Sequence, residues 1–273
     1  MSEPSTTTEQ PPAARPHAGP QGAPSAAPGT APGTAPGTGP GAGPAIQRQF
    51  VNFAFYKLDP AFRRLGDHEK IQARSEFLKA FQHQAEPGMI CLTYSTVGLR
   101  ADADFLIWRI SQSTDSFQQH QQRINMTRIG AYLTTSHSLL SMTKRSMYID
   151  KLDPFHTAES RTHIIPGKRK YLFVYPFVKT RDWYLLPLEE RQKIMDVHIR
   201  VGNKYPSVKL NTTYSFGLDD QDFVVAFETE EPKDFLDLVM ELRETESSKY
   251  TVRDTPIFTC IQMPMENLLD QLF

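Results

Sequence analysis

A histidine on the apolar side of a helix must be hydrogen-bonded or bound to something, and His198 is placed in that way. Over Leu188–Val201 the residues Ile194, Val197, His198 and Val201 follow i, i+3, i+4, i+7 spacing, one face of a 3.6-residue period. Such an imidazole is either a satisfied core histidine or a ligand to a metal or cofactor. No second His or Cys stands at zinc-like spacing. If His198 binds a metal, a single axial ligand to haem iron suits the sequence better than a polydentate zinc site. A second candidate lies in the run Tyr175-Pro176-Phe177-Val178-Lys179. Strand alternation puts Phe173, Tyr175 and Phe177 on one face, with Lys179 in phase. A tyrosine and a lysine facing a cavity could serve as a redox-active phenol and a cation for an anionic substrate. The plainer alternative is a core strand with a snorkelling lysine. The sequence contains no HExxH, CxxC, P-loop, GxGxxG or GxSxG pattern.

The elements that must position these residues follow from periodicity. Phe50–Tyr56 alternates as a half-buried strand, followed by a helix over 68–83 with Ile71, Phe77, Leu78 and Phe81 on one side. Strand-like runs at Met89–Thr96 and Asp104–Ser111 precede a helix at Thr114–Asn125. The same order recurs: a strand at Lys170–Val178, the helix Leu188–Val201, strands at Val208–Phe216 and Asp222–Glu228, and a helix at Pro232–Thr245. Gly98-Leu99-Arg100 with Asp104-Phe105 is echoed by Gly217-Leu218-Asp219 with Asp222-Phe223, the glycines 119 residues apart. Both read as turns between paired strands. A strand–helix–strand–strand–helix unit closed by a further strand is the ferredoxin-like pattern. Used twice, it predicts an α+β fold of the dimeric α+β barrel type: antiparallel sheets packed together, helices outside. Pro256–Met263 supplies the closing strand of the second half. The predicted organisation is a tail over 1–45, halves over 46–148 and 168–273, and a linker over 149–167.

Composition narrows the setting. Lys+Arg number 30 and Asp+Glu 31, a net charge of −1, which excludes a generally basic nucleic-acid binder. Two cysteines, Cys91 and Cys260, are too few for a disulfide framework. No apolar run reaches the roughly 20 residues of a membrane span, and residues 1–45 lack the apolar core of a signal peptide. The expectation is a cytoplasmic protein. Residues 1–45 hold 11 of the 21 prolines and 8 of the 15 glycines, and read as a disordered tail.

Taken in order, YPFVKTRDWYLLP (Tyr175–Pro187), EERQKIMDVH (Glu189–His198) and GLDDQDF (Gly217–Phe223) resemble the chlorite dismutase and coproheme decarboxylase family. The resemblance covers about residues 47–264 and is strongest over 170–250. It implies a duplicated ferredoxin-like fold, a ring that is usually a homopentamer, and one haem or iron coproporphyrin III bound in the C-terminal half. His198 falls on the family's iron ligand, Tyr175 on the tyrosine that carries oxidising equivalents in the decarboxylase branch, and Lys179 on the lysine near the reacting propionate. Tyr148, Arg161 and Ser247 match positions that touch propionates; Lys168 or Arg169 could replace Arg161. Trp183-Tyr184 departs from the paired tryptophans usual in chlorite dismutases. The arginine those enzymes carry in the strand before GLDD is replaced here by Leu210 or Asn211, which argues against chlorite turnover. Asn211, or His163 from the linker, is the candidate to assist peroxide cleavage. The resemblance thus implies a hydrogen-peroxide-dependent coproheme decarboxylase that makes haem b. The alternatives are a chlorite dismutase or haem peroxidase, and a non-catalytic haem-binding or haem-sensing protein.

Overall fold

The computed structural model describes residues 47–83, 88–148 and 163–273. The tail predicted over 1–45 and most of the 149–167 linker, Arg161 included, lie outside the described residues. The first half runs β1 (Phe50–Leu58), α1 (Asp67–Gln82), β2 (Ile90–Ser95), β3 (Phe105–Ser111), α2 (Thr114–Asn125) and β4 (Leu133–Met142). The second runs β5 (Tyr171–Lys179), a short α3 (Arg181–Leu185), α4 (Leu188–Gly202), β6 (Lys209–Tyr214), β7 (Phe223–Thr229), α5 (Pro232–Arg243), β8 (Thr251–Arg253), β9 (Phe258–Gln262) and α6 (Met265–Leu272). Among the described residues no helix is long and apolar enough to cross a membrane.

Each half contributes one four-stranded antiparallel sheet, β4-β1-β3-β2 and β9-β5-β7-β6. The sheets join at two thin seams, Met142 opposite Tyr214 and Tyr94–Ser95 opposite Ile261–Gln262, so the eight strands close into a barrel. The pairing at these seams is short, and most of the facing edges of β4 and β6 are not joined by ladder pairs among the described residues. Alternation then sorts the side chains. Val51, Phe53 and Phe55 meet Leu172, Val174 and Phe258 inside the barrel. On the outer face of the first sheet α1, α2 and α6 bury Tyr56, Phe77, Ile124 and Leu268. On that of the second, α4 and α5 cover Phe173, Tyr175 and Phe227.

The internal repeat holds down to single hydrogen bonds. Gly98 and Gly217 both turn with positive φ, 76° and 72°, where a side chain would be strained. Asp104 and Asp222 follow those turns. The Asp104 amide donates to the Tyr56 carbonyl and the Asp222 amide to that of Phe177. Their carboxylates accept from the Leu58 and Lys179 amides, at the ends of β1 and β5.

Three details differ from the sequence expectation. Strand β4 reads LTTSHSLLSM, and its serines and threonines hide the alternation on which the reading relies. Ile71 is 67% exposed and Val197 43%, so neither belongs to an inward stripe; Ala73 and Phe77 on α1, and Ile194 and Val201 on α4, carry the burial. His120, which the sequence places among glutamines and would leave at the surface, is fully buried.

That buried imidazole has a consequence for acid stability. Its Nε2 donates to the Phe81 carbonyl at 2.9 Å, and Nδ1 accepts from Arg109 Nε at 3.1 Å. Burial, and then the charge of Arg109, push its pKa from 6.5 down to about 4. Between those values the unfolded chain binds the proton and the folded chain does not, so stability falls as pH drops through the window. The full traverse is worth about 3 kcal/mol. Urea denaturation at pH 7 and pH 4.5 should show this loss. His120→Gln, whose amide oxygen can still accept from Arg109, should show a visibly shallower one; an equal loss would assign the effect to other groups.

Candidate functional site

Four of the singled-out residues converge on one short turn. The 3-10 turn Glu246–Tyr250 follows α5 and carries Ser247, which is buried. The Ser247 hydroxyl lies 3.1 Å from His198 Nδ1 and 3.0 Å from Thr245 Oγ1. The Ser247 carbonyl accepts from Lys179 Nζ at 2.6 Å. Lys179 ends β5, and its ammonium stands 4.7 Å from the ring centre of Trp183, a cation–π contact. Trp183 is placed by local chemistry: Thr180 caps α3 by accepting from the Trp183 amide at 3.3 Å. His198, Lys179, Trp183 and Ser247 therefore form one cluster at the end of β5.

The cluster's electrostatics keep the imidazole neutral. Burial, and then the Lys179 charge, push the His198 pKa down to about 4, although one edge of the side chain stays open. With its proton on Nδ1 and donated to Ser247, the ring keeps a lone pair on Nε2, and no described residue bonds there. Burial also pushes the Lys179 ammonium down to about 8. No carboxylate among the described residues pairs with it.

Tyr175 sits further back on the same face of β5. It is 7% exposed, its ring lies 6.0 Å from that of Phe227, and Val201 of α4, one turn beyond His198, packs in the same cluster. Burial and the nearby Asp254 carboxylate hold its phenol well above the ordinary range, so it is protonated. Tyr148 approaches from the first half, its ring 6.3 Å from Trp183.

A cavity of about 320 Å³ opens beside the cluster, walled by Tyr148, Tyr184 and Tyr214 and rimmed by Arg48, Lys144 and Arg191. The Tyr184 hydroxyl donates to the Asp222 carboxylate at 2.8 Å, which fixes one wall. Arg191 Nε is buried without a hydrogen-bond partner among the described residues. His198 and Tyr175 are not among the cavity's lining residues; it reaches the cluster through Tyr148 and Tyr184.

Asn211 does not join the site. It lies opposite Ala226, faces the barrel interior, and donates to the buried Glu228 carboxylate at 2.9 Å. The neighbouring Leu210, 50% exposed, takes the outward place, because successive strand residues point to opposite faces. Of the substitutes for Arg161, Arg169 is engaged with the Ser207 carbonyl and Lys168 is exposed. His163 is exposed as well. Sequence reasoning gave Arg191 no role of its own, taking it only as part of the run Glu189–His198. The usable signal was spacing: Arg191 precedes His198 by seven residues, on the same side of α4.

A protein-family model described as chlorite dismutase matches residues 69–263. The chain is 30% identical over 228 residues to the coproheme decarboxylase of Mycolicibacterium smegmatis, covering 82% of this chain and 94% of that protein. It is 29% identical over 227 residues to the chlorite dismutase of Ideonella dechloratans, covering 82% and 79%. The structure of chlorite dismutase from Candidatus Nitrospira defluvii in complex with imidazole is similar at a TM-score of 0.73, with 24% identity over 82% of this chain and 94% of that one.

Proposed function

The chain belongs to the chlorite dismutase family, and from that premise we propose that it is a coproheme decarboxylase. On this reading it uses hydrogen peroxide to remove two propionates of iron coproporphyrin III and yields haem b. The observation that carries the reading is Tyr175, a buried, protonated phenol on the sheet face that α4 covers, packed in one cluster with Val201 of the helix that carries His198. The residues present suit the porphyrin. A flat macrocycle bearing four carboxylates matches aromatic walls rimmed by cations, one with an orphaned buried N–H, beside a lysine that no carboxylate neutralises. A neutral imidazole with an open Nε2 suits the iron.

When bound, the iron supplies the oxidising equivalents of peroxide. Tyr175 gives up an electron and its phenolic proton, then takes a hydrogen atom from the propionate carbon next to the ring. The bond to the carboxylate then breaks and carbon dioxide leaves, with the one further electron so released being taken up by the second oxidising equivalent that the bound iron would supply. Each propionate thus consumes one peroxide and one proton and returns a vinyl group, one carbon dioxide and two waters. Lys179 holds the carboxylate in place, and its position above Trp183 keeps it from folding away. Ser247 orients His198, and Tyr148 contacts the porphyrin's acidic edge. The porphyrin lies against the C-terminal half, 168–273, of a cytoplasmic homopentamer. Leu210 at the outward place of β6 offers no charge to a chlorite anion, which disfavours chlorite dismutation.

Anaerobic reconstitution with iron coproporphyrin III, followed by stepwise peroxide and mass spectrometry, tests the reading. Two successive decarboxylations, through a three-propionate intermediate, are expected. Tight binding with bleaching and no loss of carbon dioxide would leave a haem-binding or haem-sensing protein instead.

A further inference from the structure

The two halves share a framework but differ in what they set beneath their helices. Arg109 and Phe227 are equivalent, each five residues beyond its aspartate, Asp104 or Asp222. Strand pairing sets Asn52 opposite Arg109 and Phe173 opposite Phe227. Counting from the starts of α2 and α5, His120 matches Leu238. In the second half these positions make an apolar floor, with the Phe173 and Phe235 rings stacked at 4.0 Å. In the first they hold a buried cation among neutral polar groups.

Arg109 is 2% exposed. Its Nε donates to His120 Nδ1 at 3.1 Å, Nη1 to Asn52 Oδ1 at 3.1 Å, and Nη2 to the Tyr56 hydroxyl and Gln121 Oε1, each at 2.9 Å. Four donors thus go to neutral acceptors, and one N–H on Nη1 remains. No carboxylate among the described residues neutralises the charge, and a buried ion without a counter-ion is strongly unfavourable. The guanidinium also lines a cleft of about 300 Å³ whose wall includes Gln118, Ser138, Phe117 and Leu140. Gln118 and Ser138 are exposed, so the cleft opens to solvent between α2 and β4.

We propose that this cleft binds a small organic carboxylate, with its oxygens on Arg109 and the wall amides and its apolar part against Phe117 and Leu140. One cation matches one negative charge, and the single N–H left on Nη1 donates to one carboxylate oxygen while the wall amides serve the other. The apolar patch has no use in a halide site. The cleft lies on the outer face of the other sheet, away from the cluster around His198, so the assignment is independent of the decarboxylase reading.

Sodium acetate and sodium benzoate, titrated into the full chain against sodium chloride of equal ionic strength, test it by calorimetry and thermal melting. Benzoate should bind one to one with Kd on the order of 1 mM. At a hundredfold excess over Kd it should raise Tm by about 5 °C or more beyond chloride. Arg109→Lys keeps the charge and loses the remaining Nη1 N–H, and should weaken binding at least tenfold. Gln118→Trp sits at an exposed position clear of the Arg109 hydrogen bonds; it should block the mouth and abolish binding with Tm in chloride unchanged. Equal responses to chloride and carboxylate, or unaltered benzoate binding by a folded Gln118→Trp protein, would overturn the proposal.

Discussion

Tyr175→Phe should bind iron coproporphyrin III as the parent does and release no carbon dioxide. The ring sits in an apolar cluster beside Phe227 and Val201, and its hydroxyl makes no hydrogen bond to another described residue. Phenylalanine therefore keeps the packing and removes only the group that can lose an electron and a proton together. The rate of decarboxylation should fall by roughly 10³-fold or more, the scale lost when a group acting in the reacting step is deleted. Binding is read from the Soret titration and turnover from mass spectrometry of the porphyrin. Normal turnover by the variant would end the assignment of Tyr175 as the oxidised group, and would leave the family membership untouched.

His198→Ala gives the second large effect. The imidazole is held neutral, with Nδ1 on Ser247 and Nε2 open, so its loss removes the side chain that would hold the iron. The ferrous iron–histidine Raman band should vanish, activity should drop at least as far as in Tyr175→Phe, and added imidazole should restore part of both. Ser247→Ala should be milder, about 10- to 100-fold, since it frees the ring without removing it. An unchanged Raman band in His198→Ala would mean that another side chain ligates the iron.

Much of this arrangement could be read from residue order, because a strand and a helix each place side chains by a fixed period. Tyr175 and Lys179 share a face at period two, as expected, and the helix carrying His198 lies over that face. Asn211 could not be read with the same security. A shift of one residue along β6 exchanges the outward and inward faces, and a strand of mixed polar residues does not fix the choice. His120 was hidden differently, within Gln118-Gln119-His120-Gln121-Gln122, yet Phe117, His120 and Ile124 do follow helical spacing. Arg109 offered a clear signal that went unused: a single cation inside the apolar strand Phe105–Ser111, where burial demands partners. The meeting at Ser247 was visible only in three dimensions, since it depends on how the turn after α5 falls beside α4.

The barrel's two seams amount to three residue pairs, yet its interior is drawn from both halves. Withdrawing either half would open the other's apolar face to water, so neither repeat has anywhere to go on its own. An ancestor built from a single repeat would have had to pair with a copy of itself to exist. In a single chain neither repeat needs to be complementary to itself, which leaves room for one to be aromatic beneath its helices while the other holds a buried charge.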